Sequence, residues 1–126
     1  GEELQYDSPI FQVSVKKHGG TAYGQIIDGE FTVLKGSAIA AEVTRKDNVV
    51  ESTRRQFELR KQLHERLNNE GAIVIDDKGI ATLTRDVPFS SPSAAAAFVQ
   101  GRATANGRRE WRTKDNDTYA DWEGRK

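Results

Sequence analysis

The chain has 126 residues and a mass of 14.0 kDa, the size of one domain with a single hydrophobic core. Charged residues make up 30% and hydrophobic residues 36%, a composition that excludes wholesale disorder. Nineteen basic residues balance nineteen acidic ones, which excludes a uniformly basic coat for nucleic acids and a uniformly acidic tail. Any electrostatic function must therefore come from local segregation of charge.

The sequence contains no cysteine, which excludes disulfides and thiolate metal sites and favours a reducing, cytoplasmic location. No apolar run approaches the roughly 20 residues that span a bilayer, and the first residues lack the pattern of a signal peptide. We therefore expect no membrane contact. Residues 1–8 are interpreted as an N-terminal linker or tag remnant, 9–122 as a single accessory domain and 123–126 as a tail.

Three strands are predicted in the first third of the chain. Residues 10–15 form a β-branched run in which Phe11 is out of phase. Two further strands, 21–27 and 30–34, flank Asp28-Gly29. An Asp-Gly pair between such runs strongly predicts a hairpin, because both turn positions need positive φ.

Two helices follow. Apolar side chains at steps of four on a charged background predict an amphipathic helix over about 53–70, with Gly71 as its left-handed exit. The second helix, about 92–100, has Ser91 as its predicted N-cap and Gly101 as its end. Its four consecutive alanines allow its backbone to approach a sheet or another helix closely.

The remaining predicted elements are a second hairpin, 72–75 with 80–84, a short strand over 108–113, and a terminal turn or edge element over 117–122. Together the elements predict an α+β fold: a small single domain in which antiparallel β-hairpins pack against two helices.

No catalytic or metal-binding constellation can be assembled from the sequence. His18 and His64 lack partners at ligand spacing, and His64 is predicted on the solvated, charged face of its helix. Neither a Gly-x-Ser-x-Gly elbow nor a phosphate-binding loop is present. Asp76-Asp77-Lys78 has acidic and basic groups at a spacing some nucleases use, but it falls in a predicted turn, where Asp is favoured for conformational reasons. We expect a protein that is not an enzyme and that binds no metal or cofactor.

Basic residues are concentrated in two segments. Residues 52–66 hold five basic and two acidic residues and residues 101–114 five and one, whereas residues 1–51 hold five and eight. The second segment also carries Asn106 and Trp111, and basic groups around an aromatic ring suit a surface that binds phosphates and stacks one base. Two serines at the start of the second helix could add phosphate contacts. The predicted nucleic-acid-binding residues are Arg54, Arg55, Ser91, Ser93, Arg102, Asn106, Arg108, Arg109, Trp111, Arg112 and Lys114.

These features also have purely structural interpretations. The helix arginines can form a solvated face with i,i+4 ion pairs such as Arg54 with Glu58. Trp111 can be a core residue, Ser91 a helix cap, and Asn106-Gly107 a turn.

Several motifs carry a resemblance to a known family. They are the Phe-Ser-Ser-Pro-Ser-Ala-Ala-Ala run at 89–96, Gly101-Arg102, the Ala-Asn-Gly-Arg-Arg-Glu-Trp run at 105–111, and the upstream segments 22–24, 28–37 and 63–71. Over about residues 9–113 the sequence resembles a small bacterial and archaeal domain of unknown function, commonly found at the C-terminal end of GIY-YIG nuclease-like proteins.

A related pattern, Ser-Pro-Ser-Ala-Ala-Ala followed by Asn-Gly-Trp, occurs in a domain associated with restriction enzymes and adenine methylases that has been proposed to recognise modified DNA. Arg108 stands where that pattern has Trp, so one aromatic wall of a modified-base pocket is missing. The resemblance therefore implies a biological context and assigns no catalytic residue.

The predicted function is that of a non-catalytic accessory domain that binds or positions DNA for a nuclease or methylase domain in the same chain or system. The alternative is a protein-interaction or dimerisation module of such a system, without nucleic-acid contact, that uses the alanine-rich helix and an exposed apolar patch of Ile39, Val49 and Val50. The sequence leaves open the oligomeric state and the choice between DNA and RNA.

Overall fold

Seven short strands and four helices make up the part of the chain that the structure, a computed structural model, describes: residues 8–16, 19–44 and 51–125. The strands are β1 (Phe11–Val15), β2 (Gly20–Ile27), β3 (Glu30–Val33), β4 (Ala38–Ile39), β5 (Ile73–Ile75), β6 (Ala81–Leu83) and β7 (Val87–Phe89). The helices are α1 (Glu51–Asn69), α2 (Pro92–Gln100), α3 (Gly107–Glu110) and α4 (Tyr119–Gly124).

The strands form two antiparallel sheets. The larger has the order β1-β2-β3-β7 and the smaller the order β4-β6-β5. Both predicted hairpins, β2-β3 and β5-β6, are present. The predicted α+β fold, antiparallel hairpins packed against helices, is confirmed.

The β2-β3 turn has the predicted chemistry. Asp28 has a φ of 51° and Gly29 a φ of 82°, and Ile27 pairs with Glu30 to close the hairpin. Positive φ at both central residues gives the turn a twist that matches the flanking strands. The same pairing fixes the register that carries Tyr23 to the outer face of the sheet.

The predicted phase of β1 was wrong. Phe11 and Val15 are fully buried, whereas Ile10 is 49% exposed, so the two-residue period of the inner face includes Phe11 and excludes Ile10. Phe11 lies at a two-residue spacing from Val13 and Val15, so strand alternation alone assigns it to their face, where its ring packs against Phe31 and Tyr119 with centroid distances of 6.1 and 5.4 Å. Ile10 is thereby left on the outer surface.

Helix α2 lies in the centre of the domain. Ala95, Ala96 and Ala97 are completely buried, and the helix contacts strands of both sheets as well as α1. The close approach expected of consecutive alanines is therefore present. Ser91 and Gly101 bound the helix as predicted, Ser91 through a side-chain cap and Gly101 through a left-handed conformation with a φ of 67°.

Helix α1 begins at Glu51 and ends before Gly71, close to the predicted limits. His64, predicted to be solvated, is instead buried, and its Nε2 lies 3.2 Å from the carbonyl oxygen of Ala40. A carbonyl oxygen only accepts, so Nε2 carries the proton of this hydrogen bond. His64 is thus a satisfied core residue that joins α1 to the segment after β4.

Two further predictions need correction. Residues 108–113 do not form a strand: α3 occupies residues 107–110, and only Arg112 then makes isolated bridges, to Gln12 and to Thr118. The predicted apolar patch is also wrong at Ile39, which is fully buried in β4, while Val49 and Val50 lie outside the described residues.

The fold reaches past both predicted domain boundaries. The Ser8 hydroxyl accepts a hydrogen bond of 2.8 Å from the Ile26 amide, and α4, in the region predicted as a terminal turn or edge element, runs to Gly124. In the described part of the chain, no helix combines the length and the apolarity needed to cross a membrane.

Candidate nucleic-acid interface

The predicted basic residues after α3 lie at the free edge of the larger sheet. Gln12 of β1 and Arg112 exchange two backbone hydrogen bonds, of 2.7 and 3.1 Å, and Arg112 bridges on its other side to Thr118. The segment therefore continues the sheet beyond β1 by a single residue. Cross-strand partners point to the same face, so this pairing places Arg112 on the outer face with Gln12.

A tight turn follows Arg112. The Thr113 amide donates to the Asp117 carbonyl at 2.8 Å, the Asn116 amide donates to the Thr113 carbonyl at 2.9 Å, and Asn116 has a φ of 71°. Asn tolerates this left-handed conformation better than most residues. The turn presents Lys114 and Asp115 to solvent at its tip.

A groove of about 420 Å³, which we call the polar groove, lies between β1, β2 and this turn. It is lined by Gln12, Val13, Ser14, Thr21, Glu110, Arg112, Thr113, Lys114 and Asn116. The lining includes two cationic side chains and one carboxylate. That carboxylate, Glu110, accepts from Arg102 Nη2 at 2.8 Å and from the Asn106 amide at 3.1 Å. Glu110 is thus paired with a cation outside the groove lining, and Arg112 and Lys114 are the cations of the lining itself.

A second groove of about 490 Å³, the apolar groove, lies on the other side of the turn. It is lined by Pro9, Ile10, Gln12, Tyr23, Thr113, Lys114, Asp115, Asp117, Trp122 and Arg125. Ile10 and Tyr23 are 49% and 39% exposed. Gln12, Thr113 and Lys114 line both grooves, which are therefore adjacent.

The five predicted basic residues of this region fall into two groups. Arg102 pairs with Glu110 at 2.8 Å and Arg108 pairs with Glu123, its guanidinium lying 5.8 Å from the centre of the Tyr119 ring. Arg109, Arg112 and Lys114 have no ion pair with an acidic side chain of the described residues. Arg112 Nη1 makes two long contacts to the neutral Asn116, 3.4 Å to its side-chain oxygen and 3.5 Å to its carbonyl oxygen. Its charge also contributes to lowering the pKa of Asp121, after the hydrogen bonds from Thr118, without forming an ion pair with it. Unpaired cations are the ones that can neutralise phosphates without first losing a partner.

Trp111 is not available for stacking. It is fully buried, its ring centroid is 4.9 Å from that of Phe31, and its Nε1 donates to the Pro92 carbonyl oxygen at 2.9 Å. The stacking role predicted for it is therefore wrong, and the alternative, a core residue, is confirmed. The physical reason is that the indole fills the space between the larger sheet and the start of α2.

Ser91 and Ser93 both have structural partners. Ser91 Oγ accepts from the Ala94 amide at 3.0 Å as a helix cap, and Ser93 Oγ accepts from the Gly107 amide at 3.0 Å. The capping interpretation of Ser91 is confirmed. The Asn106-Gly107 pair leads directly into α3, and the Asn106 side chain makes no capping hydrogen bond.

Arg54 and Arg55 are exposed on α1, and neither groove is lined by residues of that helix. The i,i+4 ion pair that the structure describes on α1 joins Arg66 to Glu70 at 4.0 Å. Neither of these two grooves therefore brings the two basic segments together.

Asp76, the remaining candidate in the part of the chain that the structure describes, shows no catalytic or metal-binding arrangement. Asp76 Oδ1 accepts from the Lys78 and Ile80 amides at 2.8 and 2.9 Å, which confirms that Asp76 stabilises the predicted turn. His18 lies outside the described residues. Within the described ranges, no three His, Asp or Glu side chains are grouped as a metal site would require.

Sequence reasoning missed Tyr23, Ile10 and Gln12 as groove residues. The available signal was strand alternation: Tyr23 stands between Ala22 and Gly24, which both face the core. A large aromatic residue out of phase with the buried positions had to point outward.

Fold and site together define a small α+β domain with a cationic groove at the edge of an antiparallel sheet. Residues 11–123 match the family described as "Domain of unknown function (DUF4357)", and the chain belongs to that family. Among curated proteins and among solved structures, no match to this chain was found.

Proposed function

We propose that this domain is a non-catalytic accessory module that binds DNA through the polar groove. The observation that carries the proposal is the charge of that groove: Arg112 and Lys114 are unpaired among the described residues, while the carboxylate of Glu110 is already held by Arg102. Contacts to phosphates provide most of the sequence-independent affinity for DNA. Arg109, exposed on α3, lines neither groove and is not needed for the proposal.

The resemblance to the domain at the end of GIY-YIG nuclease-like proteins supplies the context of the proposal. In this context the module positions DNA for a nuclease or methylase domain of a bacterial restriction-modification-type protein, in the same chain or the same system. The absence of cysteine favours a cytoplasmic setting for such a protein.

The test is a fluorescence-polarisation titration of a labelled duplex and of its separate strands over a range of salt concentrations. We expect binding at low salt and a fall in log K with log salt of roughly 0.9 for each duplex phosphate neutralised and roughly 0.7 for each single-strand phosphate. Arg112→Gln and Lys114→Gln should each weaken binding and reduce the salt slope by about one contact. Arg85→Gln is the matched control, since Arg85 pairs with Glu70 and lines neither groove.

Two results would overturn the proposal. One is no binding of either DNA form at low salt. The other is an equal loss of affinity in Arg85→Gln and Arg112→Gln, because net charge and not the groove would then explain the effect.

A second candidate function, dimerisation, is favoured by the edge of the smaller sheet. β5 is an edge strand, and Val74 and Ile75 are 55% and 49% exposed on it. An exposed apolar edge strand is suited to pairing with another chain. Light scattering after size exclusion should then report a dimer that Val74→Lys converts to a monomer, and a dimer without DNA binding would favour this function over the first.

A further inference from the structure

The apolar groove lies beside the polar groove and is lined by Tyr23. Tyr23 is an exposed aromatic residue, whereas Trp111 is buried. We propose that the apolar groove holds an unstacked base of single-stranded DNA whose phosphates lie in the polar groove, with Tyr23 as the stacking platform. This inference rests on the proposed function and names the form of DNA that the same surface selects.

The register of β1 and β2 determines where Tyr23, the proposed stacking platform, lies on the sheet. Tyr23 pairs with Gln12, so both side chains lie on the outer face of the larger sheet, and Gln12 in turn pairs with Arg112. The order across the sheet is therefore aromatic ring, amide, guanidinium. The three parts of a nucleotide match this order: a flat base for the aromatic ring, a polar sugar for the amide and an anionic phosphate for the guanidinium.

The walls of the groove suit a flat apolar group. Ile10 provides an exposed aliphatic side chain, and the half-buried Trp122 ring packs edge-to-face with Phe11 at a centroid distance of 5.7 Å. Stacking on an aromatic side chain requires a base whose face is uncovered, as in a single strand, and not a base within a duplex.

The charged residues of the two grooves also favour a base in the apolar groove and a phosphate in the polar groove. The apolar groove includes Asp115 and Asp117, of which Asp117 is paired with Arg125 at 2.8 Å. The exposed carboxylate of Asp115 disfavours a phosphate there but can accept a hydrogen bond from the amino group of a base. Lys114 lines both grooves and therefore lies between the proposed base site and the proposed phosphate site.

The experiment compares Tyr23→Ala with the unsubstituted protein on three probes of the same length: a single strand, its duplex, and an abasic single strand. Loss of one base–aromatic stack is expected to lower single-strand affinity about 5- to 160-fold. Affinity for the duplex and for the abasic strand should stay within about twofold of the unsubstituted protein, because phosphate contacts remain. Tyr23→Phe keeps the ring and should restore single-strand affinity, and the urea midpoint of each variant verifies the fold.

The outcomes separate this inference from the proposed function. If Tyr23→Ala binds the single strand normally while Arg112→Gln binds weakly, the base site is overturned and DNA binding through the polar groove stands. If Tyr23→Ala weakens the abasic strand as much as the normal one, the base site is likewise overturned. If the unsubstituted protein binds none of the probes, both proposals fail.

Discussion

The indole N–H of Trp111 donates a 2.9 Å hydrogen bond to the carbonyl oxygen of Pro92, the first residue of α2. A second contact runs beside it, from the Gly107 amide to the Ser93 hydroxyl at 3.0 Å. These two bonds attach α3 to the start of α2, and Arg112 follows immediately. The central helix of the core thus sets the position of the surface that carries the unpaired cations.

Replacing Trp111 with Phe should destabilise the domain. The substitution removes the donor, leaves the half-buried Pro92 carbonyl without its side-chain partner and takes volume from a fully buried site, at a cost of about 1–3 kcal/mol. Urea unfolding followed by circular dichroism measures the loss. Trp122→Phe is the comparison, because Trp122 is only half-buried and should cost less. Equal losses in the two variants would contradict the central role of Trp111.

Gly107→Ala tests the close approach of α3 to α2. A Cβ at residue 107 would lie 2.1 Å from the Pro92 carbonyl oxygen and 2.4 Å from the Ser93 nitrogen, both backbone atoms that cannot rotate away. We expect a loss of about 1–3 kcal/mol or more, as for an overpacked core. Gly124→Ala is the matched control: a Cβ there meets no atom within 4 Å, so its stability should be unchanged or slightly raised. A stable Gly107→Ala variant would show that this contact is not as tight as described.

Ser91→Ala should weaken the start of α2. The side chain accepts from the Ala94 amide, and loss of an N-cap of this kind costs about 0.5–2 kcal/mol. Ser90→Ala, at an exposed position one residue earlier, should have little effect in the same unfolding measurement. If capping is the whole role of Ser91, DNA affinity measured well below the unfolding midpoint will be the same in both variants. A selective loss of affinity in Ser91→Ala would instead assign it a phosphate contact.

Tyr119 should ionise late. Burial raises its pKa above the ordinary value, and a hydrogen bond to Glu123 raises the pKa further. Because the folded state holds the pKa above the unfolded value of about 10, the stability contributed by the neutral phenol is complete below that pH. It is lost as the pH rises through the folded pKa.

An ultraviolet titration of phenolate formation measures this directly. A component above the ordinary pKa of tyrosine should be present, and Tyr119→Phe should lack it. A late component that persists in Tyr119→Phe would assign the raised pKa to another residue.

Local chemistry made much of the fold predictable. The Asp28-Gly29 turn, the Ser91 cap and the Gly101 exit each depend on a residue type at one backbone position, and all three are confirmed. The alanine-rich helix was predictable for a similar reason, because its lack of side-chain bulk leaves little alternative to close packing.

What the sequence did not reveal depends on contacts between distant segments. The short helix α3 is stabilised by Ser93 and Pro92, more than ten residues earlier, so the alternation around Trp111 predicted a strand incorrectly. The predicted exposure of His64 was wrong for the same reason, since the Ala40 carbonyl holds its ring in the core. The phase of β1, in contrast, was already present in the two-residue spacing of Phe11, Val13 and Val15.

The candidate site was predictable in its charges but not in its geometry. Composition located the basic segment, whereas ion pairing removed Arg102 and Arg108 from the group of unpaired cations and burial removed Trp111 as a platform. Strand alternation indicates that Tyr23 points outward, but only the strand register shows that it shares a face with Arg112, because the two residues are far apart in sequence and are joined through Gln12.

The turn from Thr113 to Asp117 forms a wall of both grooves, and hydrogen bonds within the turn fix its conformation. Insertions, deletions or exchanges at this single loop would therefore reshape both grooves without altering the hydrophobic core. A library of variants confined to these five consecutive positions would alter both the polar groove and the apolar groove, while the strands and helices that support them stay unchanged.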